Sequence, residues 1–191
     1  MKSQLFNRLV LIIGSAAFAC AGSSVVFGQT TSNAASISLT ATLGESLTIS
    51  ATPAAVTFAL VQGGTAAGSA PVAITTTWLL LPTRANVVLD GYFASAAGAL
   101  TDGGATPDLI PTSAVLGKMT TGSPVAFTAF TATAALGPAG AGLTLFTVPL
   151  TIANRAFTRT DNLLLEIDLS ALPQLPAGTY TGTLTLQAQA L

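Results

Sequence analysis

The sequence predicts an all-β protein folded as a sandwich of antiparallel sheets, and three observations carry that prediction. Apolar side chains recur at every second position in segment after segment. Stretches with a helical period are scarce. Gly- and Pro-containing turns interrupt the chain at roughly ten-residue intervals, giving about eight or nine short strands. A closed membrane barrel would need aromatic girdles at both interfaces. One Trp, two Tyr and nine Phe in 191 residues do not supply them.

The first element reads as an export signal. Lys2 and Arg8 make a basic start, and residues 9–21 form an apolar run too short and too poorly flanked for a permanent membrane span. Cleavage is expected after Gly28, leaving Gln29 at a polar new N-terminus. Cleavage after Ala21 also satisfies the small-x-small rule. Lipidation at Cys20 is a third outcome, although Phe18 is bulky where a lipobox wants a small residue.

Residues 36–50, SISLTATLGESLTIS, place Ile37, Leu39, Ala41, Leu43, Leu47 and Ile49 on one side and mostly Ser or Thr on the other. Residues 55–60 (AVTFAL) read as a short strand, and residues 61–71 (VQGGTAAGSAP) as a loop. Val72, Ile74, Thr76, Trp78 and Leu80 alternate along a longer strand that stops at Pro82. Residues 86–93 (NVVLDGYF) read as a strand with a turn or bulge at Asp90-Gly91. Residues 94–124 read as loops around one or two weak strands. Residues 125–131 (VAFTAFT), 143–152 (LTLFTVPLTI) and 162–169 (NLLLEIDL) are further strands. Pro149 places the second of these at an edge or a bulge. From Tyr180 onward, Tyr180, Gly182, Leu184, Leu186, Ala188 and Ala190 face one way, and Thr181, Thr183, Thr185, Gln187 and Gln189 the other.

Residues 29–191 suffice for one domain with a substantial core, and they contain neither Cys nor His. Stability must then come from the core and from strand pairing rather than from disulfides. The usual ligands for zinc and haem and the usual thiol nucleophile are missing, so no cofactor or metal is expected. Charged residues make up 7% of the chain, against about 25% in an average globular domain. Arg84, Lys118, Arg155 and Arg159 are the basic residues beyond the signal, facing seven acids. That is no footprint for nucleic acid or an anionic membrane surface. A surface of Thr, Ser, Ala and Gly suits an extracellular structural protein.

The motifs that could carry chemistry have plainer readings. Glu166 and Asp168 lie two apart on a strand and could form a glycosidase pair. Yet Leu163, Leu165, Ile167 and Leu169 take the opposite parity as the buried face, which makes the carboxylates the solvated side. Asp102-Gly103-Gly104 with Asp108 lacks the ligand spacing of a calcium loop. Residues 175–179 (LPAGT) resemble a sortase signal, but neither an apolar span nor a basic tail follows. The Ser and Thr hydroxyls have no His to activate them, and Lys118 is the only lysine after the signal. No catalytic role is expected.

Residues 39–58, LTATLGESLTISATPAAVTF, resemble the start of spore coat U-type domains and of subunits of archaic chaperone–usher pili, and are similar to those of alternate-chaperone fimbriae. Residues 176–191, PAGTYTGTLTLQAQAL, resemble the closing strand of that superfamily, with Gly178 and Tyr180 filling a Gly-x-Tyr pattern. The resemblance implies an incomplete immunoglobulin-like sandwich, completed by a donated strand. A periplasmic chaperone fills the open groove first. At an outer-membrane usher, the N-terminal extension of another subunit then replaces it by β-strand addition.

Ala35, Ile37, Leu39, Ala41 and Leu43 form a suitable donor row, and the groove-lining strand would carry Gly178, Tyr180, Gly182, Leu184, Leu186, Ala188 and Ala190. Neither end has the Lys, Pro or inward charge that guards a free edge. The expected division is residues 1–28 as signal, 29–45 as extension and 46–191 as sandwich, with Glu45 at the border. The expected role is a structural subunit of a surface fibre or coat, exported to the periplasm and then the cell surface. The alternative is a self-complete secreted sandwich with a binding or adhesive role.

Overall fold

The computed structural model describes residues 32–172 and 174–191. The signal reading, its two cleavage sites and Cys20 lie outside the described residues. Residues 42–191 form one compact unit. Residues 32–45 adopt no regular secondary structure and are exposed.

The chain is nearly all β, in antiparallel sheets. β1 (Ser46–Thr52), β3 (Val72–Leu79), β10 (Ala156–Asp168), β7 (Val115–Met119) and β8 (Thr128–Ala129) run side by side in that order, with β2 (Thr65–Ala67) pairing the end of β10. The second sheet has the order β11 (Thr185–Ala190), β4 (Asn86–Tyr92), β9 (Gly142–Pro149). β5 (Leu100–Thr101) and β6 (Leu109–Ile110) form a short pair of their own.

Two-residue periodicity explains why these segments pack as they do. On β3, Val72, Ile74, Thr76 and Trp78 are buried, and on β10 Leu163, Leu165 and Ile167 are buried, followed by Leu169. The apolar ones meet Val87 and Leu89 of β4 and Leu143 and Leu145 of β9 in one core between the sheets. This is the expected sandwich. Trp78 satisfies its indole N–H on the Asn154 carbonyl at 2.8 Å, which lets a large ring be fully buried. Among the described residues, Arg159 makes a part-buried ion pair with Asp161; the Thr121 hydroxyl also donates to Asp161, and the Arg159 guanidinium lies over the Phe146 ring.

A bulge does occur beside Asp90, but on the partner strand rather than at Asp90-Gly91 itself. Leu89 pairs with Phe146 and Asp90 with Thr144, so the extra residue is Leu145 on β9. β9 is an edge strand that ends on Pro149, where no ladder donor is needed.

Other segments differ from their sequence reading. Residues 55–60 keep their alternation, with Val56, Phe58 and Leu60 half-buried, but reduce to an isolated bridge between Phe58 and Gly68. The Gly/Ala-rich loop supplies β2 instead. Residues 94–124 contain β5, β6 and β7. Residues 125–131 yield only the two residues of β8. The C-terminal segment becomes a strand only at Thr185, because its first half crosses toward β5 and bonds there through Thr101 and Thr181 (2.9 and 2.8 Å).

Candidate functional site

The two long sides of the sandwich end differently. On the β9 side, the chain leaving β8 passes from one layer to the other. Ala132 and Gly142 exchange backbone hydrogen bonds of 2.8 and 3.0 Å, and Phe130 is fully buried beneath. On the opposite side, β1 pairs only with β3 and β11 only with β4 among the described residues. These two unpaired edges approach each other across the layers.

Above them, toward the β1 C-terminus, the edges separate around a cavity of about 760 Å³. One wall is Ala51 and residues 53–58; the other is residues 178–184 and Leu186. Val72, Phe93, Leu100, Val115, Leu165 and Ile167 form an entirely apolar floor. A second cavity of about 470 Å³ adjoins it, sharing Leu60, Gly178 and Tyr180.

Sequence reasoning placed seven residues along a groove-lining C-terminal strand. Gly178, Tyr180, Gly182, Leu184 and Leu186 line the cavity, while Ala188 and Ala190 lie further along β11 and pack on the core. Thr179, Thr181 and Thr183 line it as well, since residues 178–184 follow an irregular path and do not hold strict strand parity. Tyr180 is half-buried and donates its hydroxyl to the Pro176 carbonyl at 3.1 Å. Its burial, and then the carboxylates of Asp108 and Asp102, push the phenol above its ordinary pKa.

The opposite wall and the floor were not singled out from sequence. Val56 and Phe58 showed the right alternation, but the edge they flank is decided by topology.

The proposed donor residues Ala35, Ile37, Leu39, Ala41 and Leu43 are all exposed, Ile37 at 84% and Leu39 at 90%. Unpartnered aliphatic side chains in alternation are costly to leave in water. The row ends at a clasp. One Glu45 carboxylate oxygen accepts the Leu81 backbone N–H (2.8 Å) and Arg84 Nε (3.2 Å), and the other accepts an Arg84 terminal nitrogen (2.9 Å). Arg155 holds the same loop by donating to the Leu81 and Arg84 carbonyls.

Glu166 and Asp168 sit on β10 with the parity opposite to the core residues. The Asp168 carboxylate caps the turn at Ser170, whose side chain and backbone N–H hold its pKa below the ordinary range. Asp102 accepts the backbone N–H groups of Gly104 and Asp108, which closes a turn. No group of three or more potential metal-ligating residues occurs among the described residues. No described helix is long and apolar enough to cross a membrane.

No protein-family model, curated protein or solved structure matches this chain.

Proposed function

We propose that this chain is a structural subunit of an extracellular fibre or coat, polymerising by donor-strand exchange in the manner of chaperone–usher pilins. One observation carries the reading: an apolar channel, bordered by two unpaired strand edges, in the same chain as an exposed and alternately apolar arm. Strand addition uses both halves of that arrangement. The arm backbone would complete the ladder, and every second side chain would enter the channel. Nine residues, 35–43, span roughly 30 Å when extended, which matches the length of a small domain.

In this reading the sandwich is immunoglobulin-like and lacks one strand. A periplasmic chaperone occupies the channel before assembly, and an outer-membrane usher is the place of exchange. The arm departs at Glu45, beside the β3–β4 loop, whereas the channel lies toward the far end of β1. An arm that departs from the end opposite the channel can enter only a neighbour's channel head-to-tail, an interface that propagates rather than closing into a symmetric pair.

A second reading draws on the cavity volume, which falls in the range of small-molecule pockets. There the sandwich is self-complete and the cavity holds an apolar ligand. Gel electrophoresis without boiling separates the two. A ladder that collapses on heating and vanishes on deletion of residues 29–44 supports exchange. A monomer band indifferent to the deletion removes it.

A further inference from the structure

We infer that Glu45 is the register stop of the arm, fixing which residues enter a neighbour's channel; the inference rests on the strand-exchange reading above. The problem it solves comes from the sequence pattern. Ile37, Leu39, Ala41, Leu43, Leu47 and Ile49 all share odd-numbered parity, so the apolar row continues from the arm into β1. A strand that slips by one residue turns its apolar face outward and is rejected. A slip of two preserves the face, and nothing in the alternation itself opposes it.

Glu45 stands on that same row, between Leu43 and Leu47. It opposes a two-residue slip in two ways. Its carboxylate is tied to the Leu81 N–H and to Arg84 in its own domain, and those bonds must break before the residue can travel. Once moved, the carboxylate would face a floor made of Val, Phe, Leu and Ile with no cation in the lining. An unpaired charge there is strongly unfavourable. Gly44, next to it, has no atom within 4 Å of the place a β-carbon would take, so nothing packs against the chain there just before the clasp. The first residue of this row with side-chain bonds to the domain is therefore Glu45.

The register can be read by disulfide trapping in the full chain carrying Cys20→Ser. Thr183→Cys on the channel wall is combined with one cysteine at a time at residues 35, 37, 39 and 41. Intermolecular dimers are then measured on non-reducing gels after oxidation. With Glu45 present, one arm position dominates. Adding Glu45→Leu is expected to raise, severalfold, the dimer yield at the position two residues nearer Glu45. Glu45→Gln, which keeps a hydrogen-bonding oxygen without the charge, should produce a smaller rise in the same direction.

A cooperative thermal transition with a midpoint only slightly below the parent's shows that these variants fold, as expected where a partly exposed ion pair is removed. The same single dominant position in all three backgrounds overturns the register stop and leaves strand exchange standing. Absence of intermolecular dimers from every pair, with Glu45 intact, removes strand exchange and this inference with it.

Discussion

Gly182 lies against the carbonyl of Ala99 so closely that a β-carbon at residue 182 would sit 2.0 Å from the Ala99 oxygen. The contact is backbone against backbone, and no side-chain rotation relieves it. It lets the C-terminal segment cross toward β5, where Thr181 and Thr101 exchange hydrogen bonds, and so shapes one wall of the channel.

Gly182→Ala should therefore push residues 180–184 away from Ala99 and lower stability by about 1–3 kcal/mol, the usual scale of overpacking. For a domain of this size, each kcal/mol lowers the melting temperature by about 2–4 °C. Gly44→Ala, where a β-carbon meets nothing, is the control and should stay within about 0.5 kcal/mol of the parent. Thermal melts of the two variants decide it; equal midpoints would contradict the close approach.

Leu39→Asp separates the arm from the domain. Leu39 is 90% exposed, so the substitution should leave the melting temperature of the isolated subunit unchanged. Polymerisation should be lost, because the new charge would enter an apolar channel unpaired. A heat-labile ladder as abundant as the parent's would show that residues 35–43 are not the donor.

Leu163 and Leu165 are neighbours on one face of β10 with different surroundings. Leu163 is fully buried in the core, whereas Leu165 borders the open cavity. Leu163→Ala should cost about 2–5 kcal/mol, as for a close-packed leucine. Leu165→Ala should cost measurably less in the isolated subunit, since part of its surface has no packing partners to lose. Under the strand-exchange proposal Leu165→Ala should in addition weaken the heat-labile ladder, since the donated strand would pack on that side chain. Denaturant melts of monomer and polymer test both halves.

Much of this fold was legible because two-residue alternation is a local signal. β3 and the second half of β10 show their buried faces directly in the sequence, and so does the latter half of the C-terminal segment; residues 156–161 carry no such signal and join β10 by pairing with β3. Segments went astray where long-range pairing decides the outcome. Residues 55–60 alternate like a strand, yet make only one bridge because they flank the open side. β2 arises from a Gly/Ala-rich stretch with no strand signal, since the end of β10 offers it a free edge. The candidate site was legible by halves for the same reason. Leu184 and Leu186 announce a buried face, but nothing local shows that Val115 and Leu165 form the floor beneath them. The Glu45–Arg84 clasp, joining residues 39 positions apart, could not be read from spacing at all.

The clasp has a predictable response to pH. The Glu45 carboxyl is held below its ordinary range by the hydrogen bonds from Arg84 first and then by the Leu81 N–H. A carboxyl with a depressed folded-state pKa contributes its stabilisation above the unfolded value and loses it as pH falls through the folded one. The clasp should therefore stay closed from neutral pH through mildly acidic conditions and open only below the ordinary glutamate range. The hydrogen-exchange protection factor of the Leu81 amide reports this directly, because that N–H donates to Glu45. It should hold steady down to that range and then fall, while Glu45→Gln removes the pH step. High salt should loosen the partly exposed pair at neutral pH. Protection already lost near pH 6, or an identical profile in Glu45→Gln, would show that the carboxylate does not hold the loop.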